Sequence, residues 1–205
     1  MNRLAIFVSG SGTNMENLVR RIRGERMDCE AALVVCDDPE APALEKAKRL
    51  GVEAAVVERK KFETKAAFEA EILRRLEQNK IDWIALAGFM RILSPEFVRR
   101  TAGRLINIHP SLLPEFPGAH AIRDAFGAKV RETGVTVHFV DEGVDTGPVI
   151  LRKKVPVDPK DTLESLEAKI HAAEYEIYPE ALRLVLSGKV KLPLHHRDEE
   201  SWARD

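Results

Sequence analysis

The chain has 205 residues, is 44% hydrophobic and carries a formal net charge of −1, which fits one large α/β domain able to bury a sizeable core. Its 32 basic and 33 acidic side chains are scattered along the sequence, which argues against a nucleic-acid binder, and no apolar run approaches the roughly eighteen residues of a membrane span. Met1-Asn2-Arg3 and the apolar run at 4–8 give way at once to Ser9-Gly10-Ser11-Gly12. That is too short for a signal peptide and reads as a first buried strand. Further apolar runs at 31–36, 54–57, 83–87 and 105–108 alternate with helical patterns at 14–22, 43–50 and 66–76. Strand–helix alternation with near-continuous apolar strands predicts a parallel sheet covered on both faces. Cys29 and Cys36 lack a CxxC spacing or a clustered histidine, so they are expected to be core thiols in a reducing, cytoplasmic setting.

After His109 the pattern changes. A loop holding Pro110, Pro114, Pro117 and Gly118 leads to a short helix at 121–127. Strands at 135–140 and 148–155 follow as antiparallel partners. A long helical stretch covers 162–186, where Pro179 is expected to bend or split it. Residues 195–205 form a charged tail. With no internal repeat or linker, the expectation is a single domain over 1–205. Its predicted class is a Rossmann-like α/β fold: a mostly parallel twisted sheet with helices on both faces and a C-terminal antiparallel portion. In such sheets ligands sit beyond the carboxyl ends of the strands.

Two polar constellations lie at those ends. Ser9-Gly10-Ser11-Gly12-Thr13-Asn14 joins the first strand to a helix. Its glycines let backbone approach an anion, and the free N–H groups of a helix start bind phosphate, with Thr13 or Asn14 as the expected cap. Met15 stands where a third glycine of GxGxxG belongs and the Walker lysine is missing, so a monophosphate fits better than a dinucleotide. The alternative is an ordinary tight turn.

The second constellation is Asn107 and His109, two apart on one strand and therefore on one side of it. An amide donates to a developing oxyanion, and an imidazole donates or shuttles a proton. They could equally satisfy loop carbonyls. Thr136 and His138 share a face downstream, followed by the acidic loop Asp141-Glu142-Gly143-Val144-Asp145-Thr146-Gly147-Pro148. Its acids lack the one-three-five spacing of a calcium loop, so one carboxylate is better used as the partner of His109, favouring the imidazolium. No set of ligands has zinc spacing and no metal is expected.

Asn107-Ile108-His109-Pro110-Ser111-Leu112-Leu113-Pro114, with 134–138 and Asp145-Thr146-Gly147-Pro148 downstream, resembles the formyltransferase family that uses 10-formyltetrahydrofolate. The resemblance runs from about residue 3 to about residue 188. Within the family, 9–14 and Ala87-Gly88-Phe89-Met90-Arg91-Ile92-Leu93 are similar to the branch acting on glycinamide ribonucleotide in purine biosynthesis. It implies 10-formyltetrahydrofolate as co-substrate, one-carbon transfer to an amine, and a catalytic trio falling on Asn107, His109 and Asp145. Thr136 is implied to assist by hydrogen bonding. Gly12, Thr13, Asn14 and Glu174 are implied to hold the ribonucleotide, with His171 one turn before Glu174. The folate side is implied to be Met90, Arg91, Ile92, Leu93 and the Asp141, Glu142, Gly143, Val144 and Asp145 loop. Lys65 stands where some relatives place an arginine on the folate tail.

Three rivals are weighed. A methionyl-tRNA formyltransferase is expected to carry a basic C-terminal domain, for which the chain has no room, and a formyltetrahydrofolate hydrolase an extra N-terminal module, whereas the chain begins directly at the first strand. A non-catalytic nucleotide-binding module leaves Asn107, His109 and Asp145 without a purpose. The expected partners are the two small molecules, with no nucleic acid or membrane, in a monomer or homodimer.

Overall fold

A strand buried on both faces needs apolar side chains throughout, whereas a covering helix needs one apolar stripe. In the computed structural model, which describes residues 1–192, that difference resolves into an alternating chain. The order is β1 (Asn2–Val8), α1 (Thr13–Gly24), β2 (Cys29–Cys36), α2 (Pro42–Arg49), β3 (Ala54–Val56), a 3₁₀ turn at Arg59–Lys61, α3 (Lys65–Gln78), β4 (Trp83–Leu86) and α4 (Pro95–Arg100). Then come β5 (Leu105–His109), α5 (Ala121–Gly127), β6 (Glu132–Phe139), β7 (Val149–Pro156) and α6 (Leu163–Leu186). The sheet order is β3-β2-β1-β4-β5-β6-β7. Strands β3 to β5 pair in parallel and β6 and β7 antiparallel, as the pattern predicts. The chain winds outward from β1 to β3 and returns to β4 on the other side, so the order reverses between β1 and β4.

One face of the sheet, including Ile6, Val34, Ile106 and Val137, packs on α1, α2 and α6 through Leu18, Ala47 and Ile170. The opposite face, including Phe7, Leu33 and Leu105, packs on α3 and α4 through Phe68, Ile72 and Phe97. Alternation then decides the site. Ile106, Ile108, Val135, Val137 and Phe139 all join the α6 side. Asn107, His109, Thr136 and His138, at the intervening positions, therefore face the other way. The loops 110–120 and 140–148 close over them through hydrogen bonds from Leu113 N to Thr136 and from Gly118 N to Asp145.

Some local expectations change. The N-cap of α1 is Gly12 at φ 67°, without a side-chain cap, so neither Thr13 nor Asn14 caps it. A Cβ on Gly12 would lie 2.6 Å from Cβ of Ala43, so α2 seats directly on the turn. Pro179 neither splits nor ends α6, which runs unbroken from Leu163 to Leu186. The proline lacks the N–H that would bond to the Tyr175 carbonyl, and Asn17 Nδ2 donates to that carbonyl instead at 2.9 Å. The pattern reading passes over α4, although Ser94-Pro95 is a helix start: Ser94 Oγ accepts from Phe97 N at 3.2 Å and Pro95 takes the first turn. Cys29 and Cys36 are free and buried, and burial pushes the Cys29 thiol up to about 12. No helix among the described residues is long and apolar enough to cross a membrane. The expected charged tail at 195–205 lies outside the described residues.

Candidate active site

Register aligns the functional strand ends in one row. Phe7 of β1 pairs with Leu86 of β4, Leu86 with Asn107 of β5, and Asn107 with His138 of β6. At about 4.8 Å per strand, Asn107 lies roughly 10 Å from β1 along the sheet. The loop after β1 is tied to the loop after β4 by Ser9 N donating to Gly88 O at 3.0 Å and Met90 N donating to Ser9 Oγ at 2.8 Å. Tyr178 of α6, fully buried, donates its hydroxyl to Leu86 O at 2.8 Å and fixes the row from beneath.

The row's far end is a side-chain network. His109 Nδ1 lies 3.4 Å from Asp145 Oδ2, and its Nε2 donates to Phe116 O at 2.8 Å. Both ring nitrogens thus face oxygen acceptors. Asn107 Nδ2 stands 3.2 Å from His138 Nε2 and 3.5 Å from Asp145 Oδ1. His138 Nδ1 faces its neighbour's carbonyl, Phe139 O, at 2.8 Å.

Asp145 gathers the centre. It sits at φ 55°, accepts the Gly118 N–H at 2.8 Å, and lies 3.7 Å from His138 Nε2, too far for a direct hydrogen bond. Burial pushes its carboxyl up, but His138, the Gly118 amide and the His109 ring outweigh that and hold it below the usual carboxylate range. The expected trio is therefore assembled. His138, only 2% exposed, is the residue the sequence leaves without a role. Its signal was the parity it shares with Thr136 opposite Asn107 and His109.

Thr136 behaves differently from the expectation. Its hydroxyl donates to Ser111 O at 2.7 Å and accepts from Leu113 N at 3.1 Å. Both capacities go to the 110–114 turn, so it pins the loop and, among the described residues, bonds to none of the trio's side chains.

At the other end, Gly12 and half-buried Thr13 and Asn14 open α1. Asn14 Nδ2 donates to Glu174 Oε2 at 2.9 Å, and His171 Nδ1 bonds to the same oxygen at 2.9 Å. Glu174 is 5% exposed. Its hydrogen bond, with the charges of Glu174 and Glu167 and against the cost of burial, holds the His171 ring above its ordinary value.

The remaining rim is less tightly joined. Met90 and Ile92 are 70% and 73% exposed and Val144 is 51% exposed, while Leu93 is buried. Arg91 Nε donates to Asp37 Oδ2 at 2.5 Å, anchoring this loop to the end of β2. Asp141 accepts from Gly143 N and Thr146 Oγ1 within the loop, and Glu142 pairs with Arg99 of α4, so both acids hold the loop in place. Lys65 begins α3 and lies 3.8 Å from Glu69, apart from the Asn107–Asp145 network.

An amide, an imidazole and a carboxylate meet under two loops on the sheet edge that also carries the Gly-rich turn after β1, an arrangement suited to group transfer. The formyl transferase family model matches residues 2–182, and the chain belongs to that family. Among its relatives, phosphoribosylglycinamide formyltransferase of Bacillus subtilis (strain 168) is 45% identical over 186 residues, 91% of this chain and 95% of that protein. Glycinamide ribonucleotide transformylase 1 from Geobacillus kaustophilus superposes with a TM-score of 0.88 at 52% identity, covering 91% of this chain and 99% of that one. The trifunctional purine biosynthetic protein adenosine-3 of Drosophila melanogaster is 42% identical over 91% of this chain, which spans 14% of that longer protein.

Proposed function

We propose that the chain transfers the formyl group of 10-formyltetrahydrofolate to the amine of glycinamide ribonucleotide, a step of purine biosynthesis carried out in the cytoplasm. The observation that carries this reading is the strand-end row: an anion-binding turn after β1 and a proton-transfer network at β5 and β6, roughly 10 Å apart along the sheet. That separation suits a substrate with a phosphate at one end and a nucleophilic amine at the other. Met90, Ile92 and Val144 offer exposed apolar surface for the folate rings.

The chemistry follows from the donors. The unprotonated amine attacks the formyl carbon, forming the new C–N bond and an oxyanion. Asn107 Nδ2 and His109 donate to that oxygen, the ligand taking the place of Phe116 O at Nε2. Asp145 holds the ring oriented. The amine's proton passes, through Asp145 or water, to the folate nitrogen as the old C–N bond breaks. One oxyanion donor is worth about 10²–10³ in rate and positioned proton transfer about 10²–10⁴.

The test is direct. With both substrates present, tetrahydrofolate should form with one formylated ribonucleotide per turnover. Tetrahydrofolate release without ribonucleotide would make the chain a hydrolase, and no reaction with both present would sink the assignment.

A further inference from the structure

We infer that Ser9, Asp37 and Glu69 are positioning residues that hold Met90 and Ile92 out as a preformed apolar ridge for the folate; the inference rests on the function proposed above. Residues 88–94 join β4 to α4 without regular secondary structure. Such a segment has no ladder to satisfy its backbone and much conformational freedom to lose on ordering. Left to itself it would fold its apolar side chains down onto the surface. Instead Met90 and Ile92 stand exposed while Leu93 turns inward.

Oxygens from three separate elements impose that shape. Ser9 Oγ, in the loop after β1, accepts the Met90 N–H at 2.8 Å. Asp37, one residue past β2, accepts Arg91 Nε. Glu69 of α3 takes both donors of Ser94, the backbone N–H at 2.8 Å and the hydroxyl. Burying a carboxylate is costly unless donors offset the lost hydration, and among the described residues each acid has its donors on this segment alone. Asp37 is 7% exposed, its Oδ1 has no partner, and Arg91 supplies its one hydrogen bond. Glu69 is 4% exposed and bonds only to Ser94, with Lys65 beyond hydrogen-bond reach at 3.8 Å. Ser94 caps α4 by itself through Phe97 N, so Glu69 serves the segment ahead of the helix.

The ridge therefore exists before a ligand arrives, and binding need not order it. A cavity of about 360 Å³, lined in part by Ser9, Asp37, Met90 and Arg91, opens beside it, which is ligand-sized space. One consequence runs against sequence position. Ser9 lies in the Gly-rich turn expected to bind the phosphate, yet its hydroxyl and its N–H both go to the loop after β4.

The experiment combines steady-state kinetics with amide hydrogen exchange on the full chain carrying Ser9→Ala, Asp37→Ala or Glu69→Ala. Each should raise the KM for 10-formyltetrahydrofolate about tenfold and leave the ribonucleotide KM within about twofold. KM does not depend on the folded fraction of a preparation, so a variant that folds poorly still gives an answer. Exchange should quicken at Met90 in Ser9→Ala and at Ser94 in Glu69→Ala, with the sheet amides unchanged. A ribonucleotide KM rising as much as the folate KM in Ser9→Ala would return Ser9 to the phosphate turn and overturn the inference. An unchanged folate KM in any of the three variants would also overturn it, leaving that residue a folding role. Both outcomes presuppose wild-type transfer; a wild type that moves no formyl group from the folate defeats the functional reading instead.

Discussion

The two ends of the proposed site are built by opposite means. At β1 the turn proposed to bind the phosphate is backbone: Gly12 in the left-handed region, the first N–H groups of α1, and α2 seated against the glycine. At β5 and β6 the centre is side chain: His109, Asn107 and His138 converging on Asp145 beneath two loops. A backbone site tolerates many side-chain changes but not an added Cβ in the wrong place. A side-chain network tolerates shape but not a change of charge. The first is stabilised by helix packing, the second by hydrogen bonds among groups that burial would otherwise penalise.

The sharpest way to separate the ends is Asp145→Asn, which keeps shape and removes charge. Turnover should fall by about 10²–10⁴ while ribonucleotide KM stays near its wild-type value. Combined with His109→Ala, the loss should be far smaller than the product of the singles, because the residues act as one unit. Fully multiplicative losses would break the network apart. The same variant has a stability signature. The Asp145 carboxyl lies below its ordinary value in the folded chain. Its contribution is therefore present above the unfolded value near 3.9 and is lost as pH falls through the folded one. Acid unfolding followed by circular dichroism should be less steep in that range for Asp145→Asn.

Gly12→Ala tests the backbone end. A Cβ there meets Ala43 at 2.6 Å in a left-handed conformation, so about 2–3 kcal/mol of stability should be lost in denaturant unfolding. The added group strikes α2 rather than the anion position, which makes Gly12 a poor probe of binding. Thr136→Val removes the hydroxyl shared by Ser111 O and Leu113 N and should cost about 1–3 kcal/mol. Turnover per folded molecule should fall less than in Asp145→Asn; a loss as large would place Thr136 among the reacting groups. The smallest structural effect belongs to Gly10→Ala, where nothing lies within 4 Å. Stability should stay within about 0.5 kcal/mol. Ribonucleotide KM should rise and folate KM should not, and unchanged kinetics would move the phosphate away from this turn.

Asn107 and His109 were legible because strand periodicity is local: residues two apart share a face whatever the rest of the chain does. The Gly-rich turn before α1 was legible for a similar reason, since φ and helix starts are properties of a few adjacent residues. The parallel-to-antiparallel sheet followed from the alternation of apolar runs with helical patterns and its change after His109. Sequence by itself therefore determined most of the elements and which polar side chains gather at the strand ends.

What only tertiary structure decided were pairings across long separations. Thr136 has the same parity as His138, yet the 110–114 turn claims its hydroxyl and Asn107 claims the imidazole of His138. No local signal distinguishes the two. Pro179 looked like a helix breaker until Asn17, 158 residues distant from Tyr175, supplied the missing donor. His171, Glu174 and Asn14 meet only because α6 packs against α1. A hydrogen bond to a buried polar group can come from any element that folding brings within 3 Å or so. Its source is set by packing geometry, which residue spacing along the chain does not contain.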